Sequence, residues 1–406
     1  MTALSTNPAP SPQPRMEVLD GMRGLAALAV VAYHFFVRWA EPHFTPTLYQ
    51  HGDALAGWFP LEIGGAFGVR LFFLISGFVI MMTLERSTGL VDFAVRRAAR
   101  LWPTLLVCAT LSAILINASG ISAIYENVAR YEVTPVEYWS SIFFIPPDLT
   151  AGLLGISQAD TPRWVEGVYW TLWAEVRFYA LIALVYWISP RAAFLWAWAG
   201  VQVASTGLDA ARVSGLAFTG DGALTLLIQP QMLGWFTLGL AAWKAREGTR
   251  SVALSIAAAA ACVSLLIGPV ISLQAGQPSL SDGAIREIAI LLAVIAPFLL
   301  FLKGSRVLAP LGWQPIVTLG LISYPLYLFH ERPAMAYLHW INSAGLPPWP
   351  SVAMAFAIVI STAWALHKCV EMPAKRLVTR ALLPRANGLE ARFPALKMRA
   401  NLASTG

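Results

Sequence analysis

The chain has 406 residues, of which 57% are hydrophobic and only 12% charged, and its mean hydropathy is +0.62, a balance that ordinary soluble domains do not reach. The formal charge of +6 invites a nucleic-acid reading, but the basic residues fall in short segments between apolar runs and near the C-terminal end, where membrane orientation accounts for them. Apolar runs long enough to cross about 30 Å of hydrocarbon recur throughout, so the sequence predicts an all-α polytopic membrane protein with no nucleic-acid partner.

The first fifteen residues, MTALSTNPAPSPQPR, are rich in Pro and Ser and read as a disordered cytoplasmic tail rather than a signal peptide, with the first helix as its own targeting signal. About ten transmembrane helices are predicted, at roughly 20–40, 67–85, 101–118, 164–188, 191–206, 222–243, 251–273, 284–302, 315–340 and 350–371. Most lysines and arginines then fall on one side, which puts both termini in the cytoplasm (N-in, C-in). A single membrane domain is expected over 16–376, followed by a basic cytoplasmic tail over 377–406. Cys108, Cys262 and Cys369 are widely spaced in apolar segments and indicate neither a disulfide framework nor a metal site.

The first helix reads LDGMRGLAALAVVAYH. Arg23 and His34 stand eleven residues apart, about three turns and roughly 16 Å along one helical face. Such a face either lines a working cavity, or Arg23 snorkels to headgroups and His34 is a satisfied buried histidine. In the second helix, GVRLFFLISGFVIM, Ser76 and Gly77 read as a small-residue packing pair, whereas Arg70 near the outer end must snorkel, pair or meet a substrate. VDFAVRRAARLWP puts Arg97 and Arg100 on one face at the cytoplasmic surface, suited either to a phosphorylated ligand or to positive-inside retention.

The outer segment 119–163 carries Tyr125, Glu126, Tyr131, Glu132, Glu137, Tyr138, Trp139, Asp148 and Asp160, a composition that fits glycan docking or an interfacial aromatic belt. In EGVYWTLWAEVRFYAL, Glu175 is buried beside Arg177 among Trp170, Trp173 and Tyr179, as an ion-pair strut or as part of a reaction centre. In LISYPLYLFHERP, Tyr324, Tyr327 and His330 recur every three residues on one side, lining a polar passage or forming an outer girdle.

In wording and order these stretches resemble the membrane-bound acyltransferase-3 family, which O-acylates sugars and other hydroxyl compounds. The resemblance rests on Arg23 and His34; on Phe72, Phe73, Ser76 and Gly77; on Arg97 and Arg100; on the run from Trp170 to Tyr179; on Tyr324, Tyr327 and His330; and on Glu371 and Pro373. Two positions depart from its pattern, Arg70 before the Phe pair and Arg177 in the Trp170–Tyr179 run, and the SGNH-type domain fused to some members is absent from this sequence.

The resemblance implies transfer of an acyl group, most simply acetyl, from cytoplasmic acyl-CoA to a hydroxyl of a surface or lipid-linked glycan, at a bacterial cytoplasmic (inner) membrane. It implies His34 as base or transient acyl carrier, with Glu175 and Arg23 assisting. Arg97, Arg100, Arg23 and Ser76 would seat acyl-CoA, a co-substrate rather than a resident cofactor. Arg70, Trp170, Trp173, Tyr324, Tyr327 and His330 would line the acceptor passage. A small-molecule acceptor such as a macrolide, and a non-catalytic transporter, are the alternatives.

Overall fold

A computed structural model describes residues 14–40, 58–119, 132–157, 161–216, 230–274 and 283–393, together with 225 and 228, and the regular elements among them are helical. Residues 1–13 of the tail expected over 1–15, the end of the chain after 393, most of the start of the sixth expected span, and Tyr125, Glu126, Tyr131 and Asp160 lie outside the described residues, while Pro14 and Arg15 of that tail are helical.

In chain order the helices are α1 (Pro14–Phe36), α2 (Gly64–Arg86), α3 (Leu90–Ser119), α4 (Pro135–Ile142), α5 (Pro147–Leu154), α6 (Tyr169–Ile188), α7 (Arg191–Val213) and α8 (Pro230–Arg246). They continue with α9 (Val252–Gln274), α10 (Ala284–Leu302), α11 (Gln314–Leu321), α12 (Ser323–Leu328), α13 (Arg332–Ser343), α14 (Pro348–Leu366) and α15 (Met372–Arg392). Seven stretches among the described residues are long and apolar enough to cross a membrane: Met16–Phe36, Gly64–Arg86, Leu90–Ser119, Tyr169–Ile188, Val252–Ile271, Ala284–Leu302 and Pro348–Arg392. The protein is therefore an all-α, multi-pass membrane protein.

Three of the expected spans differ in form. α7 is a continuous helix of 23 residues, longer than the predicted 191–206, but it carries Arg191, Asp209 and Arg212. α8 is described over 17 residues. The ninth span, 315–340, is not one helix but three, α11, α12 and α13. Two prolines explain the breaks: Pro325 cannot donate to the Leu321 carbonyl and Pro333 cannot donate to that of Phe329, so each interrupts the ladder one turn upstream.

α1 packs between α2 and α11, and α2 packs on its other side against α8. The contact between α2 and α8 is backbone to backbone. A Cβ at Gly77 would run into the Phe236 carbonyl, and one at Gly239 into that of Leu74, so the small-residue reading of the Ser76-Gly77 pair holds for the glycine. At the basic end of the bundle, Glu85 of α2 accepts from Trp243 Nε1 and pairs with Lys244 Nζ of α8, both at 2.6 Å. The segment expected as a tail includes the rest of α15, whose Glu390 accepts from the Asp92 N–H (2.9 Å) and the Thr88 hydroxyl (3.0 Å), capping the start of α3.

Candidate functional site

Helix α3 starts at Leu90, one helix with the third expected span, so Arg97 and Arg100 point along its first turns into the bundle. There they meet the beginning of α1, where Arg23 sits 3.6 Å from Asp20 Oδ1 and donates to the Ser323 hydroxyl (3.2 Å). Between α14 and α15 the chain makes a π turn, His367–Glu371; its wider coil brings His367 Nδ1 to within 2.7 Å of Glu371 Oε2 and leaves Glu371 Oε1 3.9 Å from Arg100. Arg23, Arg97, Arg100 and Lys375 thus surround the basic end of a cavity of about 310 Å³. Arg97 rests against Tyr179, while its buried Nε has no hydrogen-bond partner among the described residues.

Further in, α2 and α6 close on a carboxylate. Ser76 Oγ donates to Glu175 Oε1 at 2.8 Å, and the Tyr179 hydroxyl donates to the same oxygen. Ser76 is therefore both a packing residue and a polar one, and Glu175 turns toward the cavity and the arginine end rather than toward His34. The inner end is formed by Phe72, Thr171 and Tyr327. The Tyr327 hydroxyl is 2.9 Å from that of Thr171, and the Phe72 and Tyr327 rings meet edge to face at 5.8 Å. Tyr324 also lines the cavity, and its hydroxyl donates to the Leu101 carbonyl (2.8 Å).

Beyond that aromatic layer lie two histidines. His34, in the last turn of α1, has Nδ1 2.9 Å from the Val30 carbonyl and 3.1 Å from His330 Nε2. The His330 ring stands 5.7 Å from that of Tyr327, so Tyr327 separates the cavity from the histidine pair. His330 itself is fully buried. On the outer side of the pair, Glu331 Oε2 accepts the Val168 N–H (3.0 Å), and Glu166 Oε2 accepts the Arg332 N–H (2.9 Å). The Arg332 guanidinium donates to the Val165 carbonyl (2.6 Å), clasping the start of α6 to α13.

The remaining candidates fall elsewhere. Arg70 forms an ion pair with Glu287 (2.6 Å) beside Trp235, in a second cavity of about 190 Å³. Trp170 is 43% exposed, and Trp173 packs under the Arg177 guanidinium at 4.8 Å. In the outer segment Glu137 is occupied by a capping box with Thr134, and its Oε1 accepts the Arg163 N–H (3.0 Å). Tyr138 is likewise occupied, its hydroxyl 2.7 Å from that of Thr110.

Three residues at or beside the cavity were given no site role by the sequence, although two of them belong to its motifs: Tyr179 and Lys375, which line it, and Glu371, which reaches Arg100. The helical spacing of four between Glu175 and Tyr179 was a usable signal, since such side chains are neighbours on a helix. Glu371 was marked only by its place before Pro373, and Lys375 carried no signal, because the turn that aims them is not written in any periodicity.

The family model described as Acyltransferase domain matches residues 16–368. Nodulation protein 10 of Rhizobium leguminosarum bv. viciae is 31% identical over 159 residues, 37% of this chain and 41% of that protein. Acyltransferase MdmB of Streptomyces mycarofaciens is 26% identical over 397 residues, covering 90% of this chain and 93% of MdmB. Peptidoglycan O-acetyltransferase OatA of Listeria monocytogenes is 28% identical over 133 residues, 31% of this chain and 18% of OatA. The chain thus spans less than half the length of the first and last of these relatives. No solved structure matches it.

Proposed function

The chain belongs to the acyltransferase-3 family, matched over 16–368, and from that premise we propose that it is a membrane O-acyltransferase working from cytoplasmic acyl-CoA. The observation that carries the donor assignment is the convergence of Arg23, Arg97, Arg100 and Lys375 on one end of the 310 Å³ cavity, with the Nε of Arg97 unpartnered there. Guanidiniums present planar pairs of donors to phosphate oxygens, so this end suits the phosphates of CoA. The cavity then leads inward past Ser76, Glu175 and Tyr179, and the acyl-pantetheine arm would lie along it with the thioester near Phe72 and Tyr327.

The chemistry would fall to His34. A base must take the proton from the acceptor hydroxyl as its oxygen attacks the thioester carbonyl. The C–S bond then breaks, and the CoA thiolate leaves with the electron pair and recovers the proton from the imidazolium. His34 sits at the C-terminal end of α1, where the negative end of the helix dipole complements the imidazolium formed on the way. Arg23 and Glu175 line the donor cavity, and their part in this scheme is to seat and orient the donor.

The acceptor is a hydroxyl of a glycan presented at the outer face, and acetyl is the acyl group. One relative whose name specifies an acceptor is a peptidoglycan O-acetyltransferase, matched over 31% of this chain, which supports a glycan over a small molecule. The test uses purified protein and labelled acetyl-CoA. The double variant Arg97→Ala/Arg100→Ala should raise the donor KM by at least about 10-fold, one charged hydrogen bond being worth about 1.5–3 kcal/mol. A donor KM unchanged from wild type would return these arginines to membrane orientation alone. Transfer that depends on added glycan supports the acceptor; equal transfer without it contradicts the acceptor assignment.

A further inference from the structure

We propose that His330 is the positioning residue of the reaction: it holds the proton of His34 on Nδ1 and thereby leaves the lone pair of Nε2 as the base. The inference rests on the reading of His34 given above and names the group that makes that reading work.

The proton positions follow from backbone carbonyls, which can only accept. His330 Nδ1 lies 2.9 Å from the Tyr327 carbonyl and 3.2 Å from that of Leu326, so Nδ1 carries the hydrogen and the Nε2 of the neutral ring carries a lone pair. His34 Nδ1 lies 2.9 Å from the Val30 carbonyl, so it too is N–H. The 3.1 Å contact between the rings is then a hydrogen bond with one direction: His34 Nδ1–H donates to His330 Nε2, shared with Val30. The opposite tautomers would set bare nitrogens against three carbonyl oxygens. Nε2 of His34 is therefore the unprotonated nitrogen, free to take the hydroxyl proton.

The break in the ninth span makes this arrangement available. The helix stops at Leu328, so no continuing turn takes up the Leu326 and Tyr327 carbonyls; Leu326 also accepts the Phe329 N–H (3.4 Å), and the remaining capacity is open to a side chain. His330 is that side chain. Glu331, the next residue, is turned away: its Oε2 accepts the Val168 N–H, and its Oε1 lies where a Cβ of Gly167 would be. The acceptor in contact with His34 Nδ1 is thus an imidazole rather than a carboxylate. When His34 becomes imidazolium, its Nδ1–H stays with His330 Nε2 and Val30, and the new Nε2–H is the proton returned to the departing thiolate.

Three substitutions separate positioning from space filling. His330→Gln can place an acceptor oxygen where Nε2 stands; His330→Asn is one bond too short; His330→Leu fills the volume without an acceptor. With labelled acetyl-CoA, kcat should remain within about 10-fold of wild type for His330→Gln and fall by about 10²-fold for the other two, the lower end of what a positioned base contributes. The donor KM, set at the arginine end, should stay within about 2-fold in all three and reports that each variant is folded. Equal kcat for His330→Gln and His330→Leu, whether high or low, overturns the proposal. An active His34→Ala variant would instead defeat the base reading itself, whereas an inactive one beside an unimpaired His330→Leu defeats only this inference.

Discussion

Glu175 shows how a half-buried charge is kept in a membrane. A carboxylate there costs several kcal/mol unless it is hydrogen-bonded, and Ser76 and Tyr179 both donate to the same oxygen. Tyr179 also touches Arg97, so one phenol joins the carboxylate to the arginine end of the cavity. Tyr179→Phe should therefore raise the donor KM about 10-fold through loss of one hydrogen bond to a charged group, with little change in kcat. Steady-state kinetics with varied acyl-CoA check this, and a donor KM equal to wild type would disconnect Tyr179 from donor binding. The residue types of this cluster were legible in the sequence because polar groups stand out against an apolar background. Their pairings were not: Ser76 and Glu175 are 99 positions apart, and Arg100 and Glu371 lie on different helices.

Helix existence was the most legible feature, since a long apolar run has few alternatives. Boundaries and breaks were less so. The ninth span reads as a continuous apolar stretch, and only Pro325 and Pro333 mark where it divides; yet the end of a short helix at Leu328 leaves the Leu326 and Tyr327 carbonyls to His330. His330 was expected along the acceptor passage with Tyr324 and Tyr327, but it meets His34 while the two tyrosines line the 310 Å³ cavity. The meeting of α2 and α8 is tested by glycine substitutions. Gly77→Leu should abolish recovery of monodisperse protein in detergent, because the Phe236 backbone cannot yield. Gly200→Ala in α7, with nothing within 4 Å of the added methyl, should be neutral or stabilise by about 0.5–1 kcal/mol. A melting temperature lowered by Gly200→Ala, or unchanged by Gly77→Leu, would contradict this account of the packing.

Across the whole molecule, the cations gather at one end of the bundle and the histidine pair lies past an aromatic layer from them. Under the function proposed above, that order would let the donor keep its phosphates in the cytoplasm while its acyl group is delivered deep in the membrane, so that CoA need not cross. The Arg23-to-His34 interval on α1 measures this separation, about three turns of helix. The most direct test is acyl transfer in inside-out membrane vesicles loaded in the lumen with glycan acceptor and supplied in the medium with labelled acetyl-CoA, comparing wild type with His34→Ala. Wild type should consume the thioester and label the glycan, while His34→Ala should keep its donor affinity within about 2-fold and lose at least about 10²-fold in transfer. Transfer by His34→Ala at the wild-type rate would contradict the account.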